Sequence, residues 1–553
     1  MVGRPTDLEQ LREMVLAFPK VKASGVGGSW WAEQFCSGWT SDSINIVMTE
    51  LVPVLNAIQF PPSLVPGPPT RPFPDFPIEV DETAATVRVL AGIPQRVLLD
   101  YLATYTLGRE PLGWTLPAFS WFIDQTIGGA VSTGTHGSTL RFGSLSSQLV
   151  SMRVLLANGT TLDVSPASHP HHFRALGVSV GRLGIITDLT LRIRPQAMIT
   201  RRVDTISSET FTRQLERVQS NYVAALQQEA AQGRPAQVQV ASAAAAPASS
   251  LVEQALFELH ETQAFWNVET GDVHRIAFSY PTKRPLDVKA NVFLNTTPDT
   301  VVAFAGPQSD SGVYRQDLPR PLKAHDTMKN DPALWGAFYN LGARPYLTSG
   351  TFEARRAYMS ASEYTNRAMS NMAPYAQYEV SVPLETAGSC MRLVRDRIYG
   401  RQRLSEGFRN LGLVRFVSGE EFYLSNTHGG PRMYINIEDY LTLSGTRNDK
   451  FFEVIRLFRE ECGARFHWGK AGWPQFASCF DGATEYPDTW CHFGCAVSEL
   501  DPKGKFAGAG QGATNVWTWS ATKNGQEVPF ESCCSSSGFS SSCKCAPRKP
   551  CAA

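Results

Sequence analysis

Residues 125–138 read QTIGGAVSTGTHGS. Gly128, Gly129, Gly134 and Gly137 stand among residues that are small or hydroxylated, with one ring, His136. Glycine lacks a Cβ and adopts positive φ, so such a stretch lets backbone N–H groups come close to a bulky ligand. Thr126, Ser132, Thr133, Thr135 and Ser138 add short hydrogen-bonding side chains beside those groups. Both features suit a flat polar cofactor that carries phosphates. A glycine-rich turn without any ligand is the competing reading at this point.

A second glycine loop lies upstream, in FPKVKASGVGGSWW (residues 18–31). A short apolar strand, Val21 to Ala23, runs into Gly25, Val26, Gly27, Gly28 and Ser29, and the N–H groups of such a turn can converge on an anion. As a dinucleotide fingerprint the loop fails, because the third glycine is misplaced and Trp30-Trp31 follows instead of a smooth helix start.

The rest of the first 198 residues alternates short strands with few helices. INIVMTEL and ATVRVLAGI read as strands, and PQRVLLDYLATYT has helical spacing from a proline start. SMRVLLANGTTLDVS reads as a hairpin around Asn158-Gly159. FRALGVSVGRLGIITDLTLRIRP gives a helix end, a glycine turn and a strand. Residues 1–198 therefore form one α+β unit, interrupted by a proline-rich excursion at 61–77 that cannot sit inside a sheet. A second unit spans 199–517, with an Ala- and Gln-rich helix and flexible insertion at about 223–250. YEVSVPL (Tyr378 to Leu384) and GLVRFVS (Gly412 to Ser418) look like sheet strands, and KFFEVIRLFREEC (450–462) is an amphipathic helix. The tail, 518–553, is polar and then rich in Ser and Cys, and reads as disordered.

A chain of 553 residues exceeds a single core. Lys+Arg and Asp+Glu both number 51, and no basic patch is interleaved with aromatics, so nothing argues for nucleic acid. No run of 18 apolar residues and no signal-peptide core occur, so no membrane span is expected; the expected place is cytoplasmic or membrane-peripheral. Nine of the 11 cysteines lie from Cys462 onward, so the bulk of the fold is not a disulfide framework.

The order of these pieces resembles the sugar-1,4-lactone oxidases, flavoproteins of the vanillyl-alcohol-oxidase type. SGVGGSW resembles the family's pyrophosphate loop. GWTLPAFSWFIDQTIGGAVSTGTHGS is very similar to its second flavin stretch. VGRLGIITDLTLRIRP resembles the strand that closes the flavin domain and adds Gly184 and Ile186 to the cofactor set. HWGK (His467 to Lys470) and LDPKGKF (Leu500 to Phe506) resemble the family's C-terminal signature. The resemblance implies an α+β fold, with a two-part FAD-binding domain and a substrate cap domain built on a large antiparallel sheet. It implies FAD held by Ser24 to Ser29, by Thr126, Gly128, Gly129 and by residues 132–138. The implied reaction is hydride transfer from an aldono-1,4-lactone (D-arabinono, L-gulono or L-galactono) to flavin N5. This belongs to synthesis of ascorbate or an analogue, with O2 as the expected acceptor, giving H2O2. Oxidation of another polyol or carbohydrate, or a flavin-binding protein without catalysis, are the alternatives.

Two positions depart from the family. The histidine that links covalently to flavin in many members falls on Gly28, so FAD is expected to be noncovalent. The family's Glu-x-Arg pair matches Arg415, but its Glu falls on Leu413; Glu420 and Glu421 are near but out of place. Lys470 and Arg415 are the expected cations against the negative charge of reduced flavin. His467 is a candidate base, with a structural role as the other reading. No metal is expected: His169, His171 and His172 lie by a proline with no carboxylate or cysteine at ligand spacing, and Cys491 and Cys495 lack a second pair.

Overall fold

The computed structural model describes residues 1–51, 78–105, 113–120, 125–233, 250–268, 271–279, 349–353, 376–400, 411–439 and 449–547. The proline-rich excursion and most of the 223–250 insertion lie outside these residues.

Three sheets position the site. A parallel sheet pairs Ser43–Val47 with both Val2–Gly3 and Lys20–Ser24. A five-stranded antiparallel sheet runs in the order Ile78–Asp81, Thr86–Leu90, Ile185–Arg192, Leu149–Leu155, Thr161–Val164. The last two strands form the hairpin expected at Asn158-Gly159, with Gly159 at φ 79° and the Thr160 N–H donating to Asn158 Oδ1. Among the described residues the third sheet has eight antiparallel strands. Its order is Gly350–Glu353, Met198–Ser207, Asp272–Ser279, Thr262–Asn267, Leu411–Val417, Arg432–Asp439, Ala376–Pro383, Arg465–Phe466.

Side chains alternate across a strand, so each strand of this large sheet has two faces. One face carries Val414, Phe416, Met433, Ile435, Val380 and Val382, all fully buried with helices Ser208–Ala231, Ala387–Tyr399 and Asp449–Cys462 packed together on that side. The other face carries Gln263, Arg415, Tyr434, Asn436, Gln377, Glu379 and Ser381, which are also buried. Polar residues at alternate positions ordinarily meet water. Here part of the first unit covers them. The segment after His136 lies along the sheet: Thr139 bridges to Val417, the Leu140 N–H donates to the His260 carbonyl, and Phe416 N–H donates to Ser138 Oγ.

A column of stacked indoles ties the ends of the chain together. Trp31 stacks on Trp473 at 5.0 Å, Trp473 on Trp468 at 4.4 Å, Trp468 on Trp517 at 5.4 Å and Trp517 on Trp490 at 5.8 Å. The Trp30-Trp31 step that spoils the dinucleotide fingerprint is thus a packing element.

The tail corrects the expectation of disorder. Residues 518–547 hold five short strands, Ala521–Lys523, Gln526–Val528, Cys534–Ser535, Gly538–Phe539 and Lys544–Cys545. Among the described residues, disulfides Cys491–Cys545, Cys495–Cys534 and Cys533–Cys543 fasten it to helix Trp490–Leu500 and to itself, and another joins Cys390 to Cys462. Cross-links limit the unfolded ensemble, which lets a polar segment with little apolar area keep one conformation. Such bonds persist in oxidising compartments. Among the described helices none is long and apolar enough to cross a membrane.

Candidate active site

The first glycine loop begins where strand Lys20–Ser24 ends, and Gly27 takes φ 78°. It lies directly on the second stretch. A Cβ on Gly25 would fall inside the Thr126 side chain, and one on Gly28 would sit 3.3 Å from Gln125 Nε2. Two glycine segments far apart in sequence are one surface in space.

Between them and strand Ile185–Arg192 runs a cavity of about 920 Å³, open solvent at its mouth included. Ser24, Gly25, Val26, Gly27, Gly28, Ser29, Thr126, Gly128, Gly129, Ser132, Thr133, Gly184 and Ile186 all line it. Gln34, Phe35, Met48, Ala91, Val180, Gly181, Ile185 and Phe506 line it as well, and no local motif marks most of them. Gly134, Thr135, His136, Gly137 and Ser138 do not line it; the chain turns inward at Gly134 (φ 67°) and docks on the large sheet.

The wall suits a dinucleotide. It is apolar along Val26, Phe35, Met48 and Phe506 and hydroxylated along Ser24, Ser29, Thr126 and Ser132. The side-chain oxygens of Gln34 and Gln125 are buried in it without a hydrogen-bond partner, and buried polar atoms call for one. Among its described lining residues there is no imidazole, thiol or phenol. Lys22 props the wall from behind, its ammonium donating to the carbonyls of Val180 (3.1 Å) and Gly181 (2.9 Å). Burial lowers that lysine to about 7. The LDPKGKF signature has a mechanical reading: Asp501 accepts the N–H groups of Lys505 and Phe506, both at 2.8 Å, and this tight turn sets Phe506 in the cavity.

Arg415, His467 and Lys470 lie outside this lining, adjoining its Thr133 side. A Cβ on Gly469 would sit 3.6 Å from Thr133 Oγ1 and 3.3 Å from His467 Cε1. On the polar face of the sheet Arg415 pairs with Glu379, and its Nη1 donates to the His136 carbonyl at 3.0 Å. Glu379 is the carboxylate that Leu413 lacks. In register, Leu413 faces Asn436, and Asn436 faces Glu379 two strands away. A Glu-x-Arg pattern read along one strand cannot reveal a partner supplied across two. Burial opposes ionisation of Glu379, yet the Arg415 guanidinium and His136 hold its carboxyl well below the usual carboxylate range.

His136 sits 3.4 Å from Glu379 and its ring lies 3.8 Å from that of Tyr434, another residue missed by sequence reading. Burial, then the charge of Arg415, holds His136 below its ordinary value. Every residue of HWGK has a contact. His467 N–H donates to the Glu379 carbonyl, and its Nδ1 accepts the Gly469 N–H, both at 3.0 Å. Trp468 Nε1 donates to the Leu424 carbonyl, the Gly469 carbonyl accepts the Trp30 N–H, and the Lys470 ammonium donates to Gln377. Burial drives His467 down to about 3, so it is neutral, and Nδ1 is already committed. Glu420 is elsewhere, caged by the hydroxyls of Ser144, Ser147 and Ser425 and raised by burial. Glu421 pairs with Arg174 at the surface.

A family model described as an FAD binding domain matches residues 75–165, and one described as D-arabinono-1,4-lactone oxidase matches residues 342–513. A D-arabinono-1,4-lactone oxidase of Candida albicans is 32% identical over 216 residues, 38% of this chain and 35% of that protein. One from Yarrowia lipolytica is 38% identical over 128 residues, 23% of each chain. The matches to these two curated oxidases thus span no more than about a third of their length. An L-gulono-1,4-lactone dehydrogenase of Mycobacterium tuberculosis is 22% identical over 445 residues, 77% of this chain and 80% of that one. Among solved structures, cholesterol oxidase from Brevibacterium sterolicum superposes with a TM-score of 0.60 at 12% identity, covering 94% of both chains, which is a likeness of fold.

Proposed function

We propose that this chain belongs to the family of FAD-dependent sugar-1,4-lactone oxidases and oxidises a ring CH–OH of an aldono-1,4-lactone such as D-arabinono-, L-gulono- or L-galactono-1,4-lactone. The observation that carries this reading is the buried Arg415–Glu379 pair, which stands with Lys470 on a sheet face adjoining the glycine-lined cavity. FAD, when bound, supplies the two-electron acceptor for the hydride and passes the electrons on, with O2 as the proposed oxidant and H2O2 as product. Ser24 to Ser29 and the Thr126–Thr133 wall hold the cofactor without a covalent bond, since Gly28 and the rest of the described lining offer no nucleophile.

The chain's own groups do the orienting. Glu379 accepts and Arg415 donates, a complementary set for neighbouring hydroxyl and carbonyl oxygens of a lactone. Lys470 and Arg415 place positive charge in a dry site, where it best stabilises negative charge developing in the transition state. His136 and His467, both held neutral, can take up a proton only at a cost; His136, next to Glu379, is the better placed acceptor for the hydroxyl proton.

Two measurements on the purified full chain test this. An absorbance spectrum before and after denaturing precipitation should show flavin leaving in the supernatant. A panel of the three lactones should then reduce that flavin anaerobically, with H2O2 appearing once air is admitted. Flavin retained in the pellet refutes the noncovalent cradle. A flavin that no lactone bleaches refutes the substrate assignment.

A further inference from the structure

A second cluster of ligand-type side chains shares no residue with the site just described. His171 and His172 are on helix Pro170–Leu176, and Glu499 is on helix Trp490–Leu500. One ligand atom from each falls within 4.8 Å of the others. His172 Nε2 is 3.1 Å from Glu499 Oε2. The Nε2 atoms of both histidines are buried and make no hydrogen bond. The carboxylate absent from the local SHPHHF pattern arrives from the far end of the chain.

We propose that His171, His172 and Glu499 form a three-ligand site for a divalent transition ion of the zinc type, clasping these two helices and open to solvent on the Glu499 side. Zinc takes imidazole nitrogen at about 2.0–2.1 Å and carboxylate oxygen at about 2.0–2.2 Å, so tetrahedral ligands stand about 3.4 Å apart. The present spacing needs only side-chain rotation to reach that. Glu499, with its side chain 43% exposed, is free to make it and leaves a path for the ion.

The surroundings orient the ligands. His171 Nδ1 lies 3.0 Å from the Tyr423 hydroxyl, the outer contact that fixes which ring nitrogen faces a metal. The disulfide-fastened hairpin holds the ring in place: a Cβ on Gly538, which has φ 103°, would lie 2.8 Å from His171 Nδ1. The nitrogen-rich set suits zinc, cobalt, nickel or copper and not magnesium or calcium, which prefer all-oxygen shells. In the other His–Glu group, at His136, the carboxylate is already neutralised by Arg415. Here the described groups include no cation bonded to Glu499, although Arg174 lies near His171.

The test uses metal-free, full-length protein titrated with Zn2+ by calorimetry and by thermal melting. One equivalent should bind with a Kd of about 10 μM or tighter, and an excess of Zn2+ should raise the melting midpoint by about 2–4 °C. Glu499→Gln and His172→Gln should each weaken binding at least about tenfold and abolish the rise, with flavin content and lactone turnover unchanged. Glu499 is half-exposed, so its variant keeps the test valid even where His172→Gln fails to fold. Mg2+ should give no rise. Zn2+ binding that is equally tight in wild type and Glu499→Gln, or no rise in the wild-type midpoint, overturns the assignment.

Discussion

The two halves of the candidate active site are built on opposite principles. The cavity is made of what is missing: glycine Cβ atoms, whose absence lets Gly25 lie on Thr126 and Gly128 lie 2.7 Å from Ala91 at the position a Cβ would take. The sheet face beside it is made of what is present, a set of polar and charged side chains buried against expectation. The first half is a matter of backbone room and is set by short glycine stretches that meet in space. The second is a matter of charge balance and is set by register between strands. The first should fail sterically and the second electrostatically, and variants can separate the two.

The largest effect should come from filling the cradle. In Gly25→Val, branched carbons would overlap Thr126, so the loops must part. The expected outcome is a soluble protein without bound flavin and without turnover, read as the flavin-to-protein absorbance ratio. Next comes the buried pair. Glu379→Gln leaves Arg415 charged and buried, which should cost about 3–5 kcal/mol in urea unfolding, as should Arg415→Met. The double variant Glu379→Leu with Arg415→Met should recover most of that stability, because removing both charges also removes the desolvation cost. It should recover no lactone turnover. A double variant as unstable as the singles would mean that the pair's geometry, not its charge, holds the sheet.

The contrast also accounts for what the sequence disclosed. Ser24 to Ser29, Thr126, Gly128, Gly129, Ser132, Thr133, Gly184 and Ile186 line one cavity because a glycine loop is a local signal whose spacing survives folding. Arg415 and Lys470 were legible as a pair of cations, but their buried partners Glu379 and Gln377 were not. Glu379 looks in sequence like an exposed alternate position in YEVSVPL; only the strand order, with Arg432–Asp439 lying between it and the Arg415 strand, makes it a partner. Tyr434 was invisible for the same reason. The tail was misread because composition predicts disorder for a polar Ser-rich segment but cannot weigh cross-links to Cys491 and Cys495 in a neighbouring helix.

Two smaller effects sharpen the electrostatic half. Lys470→Met keeps the length of the side chain and removes its charge. Turnover should fall about 10²–10³-fold with flavin content unchanged, as expected for a group that acts on developing charge. His467, held at about 3 by burial, should make the fold sensitive to acid. The unfolded chain takes a proton at this residue near its ordinary value, about 6.5, and the folded chain does not until about 3. Stability should therefore be unaffected above about pH 7 and fall as pH drops from 6.5 toward 3, by up to about 4 kcal/mol from this residue. His467→Asn, which keeps an acceptor for the Gly469 N–H, should flatten that limb in urea midpoints measured against pH.

The smallest expected effect is the most specific. If the carboxylate has moved from the Leu413 position to Glu379, function needs one carboxylate beside Arg415 and not a particular strand to carry it. Leu413 is two residues from Arg415 and points to the same face, with Asn436 opposite as a polar neighbour. Leu413→Glu alone adds a second buried carboxylate near Glu379, and should lower both stability and turnover. Placed in Glu379→Gln, the same substitution restores the single negative charge to Arg415. Turnover should rise about tenfold over Glu379→Gln, still below wild type, because the backbone spacing differs. A double variant no more active than Glu379→Gln would show that Glu379 does more than balance Arg415. Its contact with His136 would then be the part of the site that the exchange cannot replace.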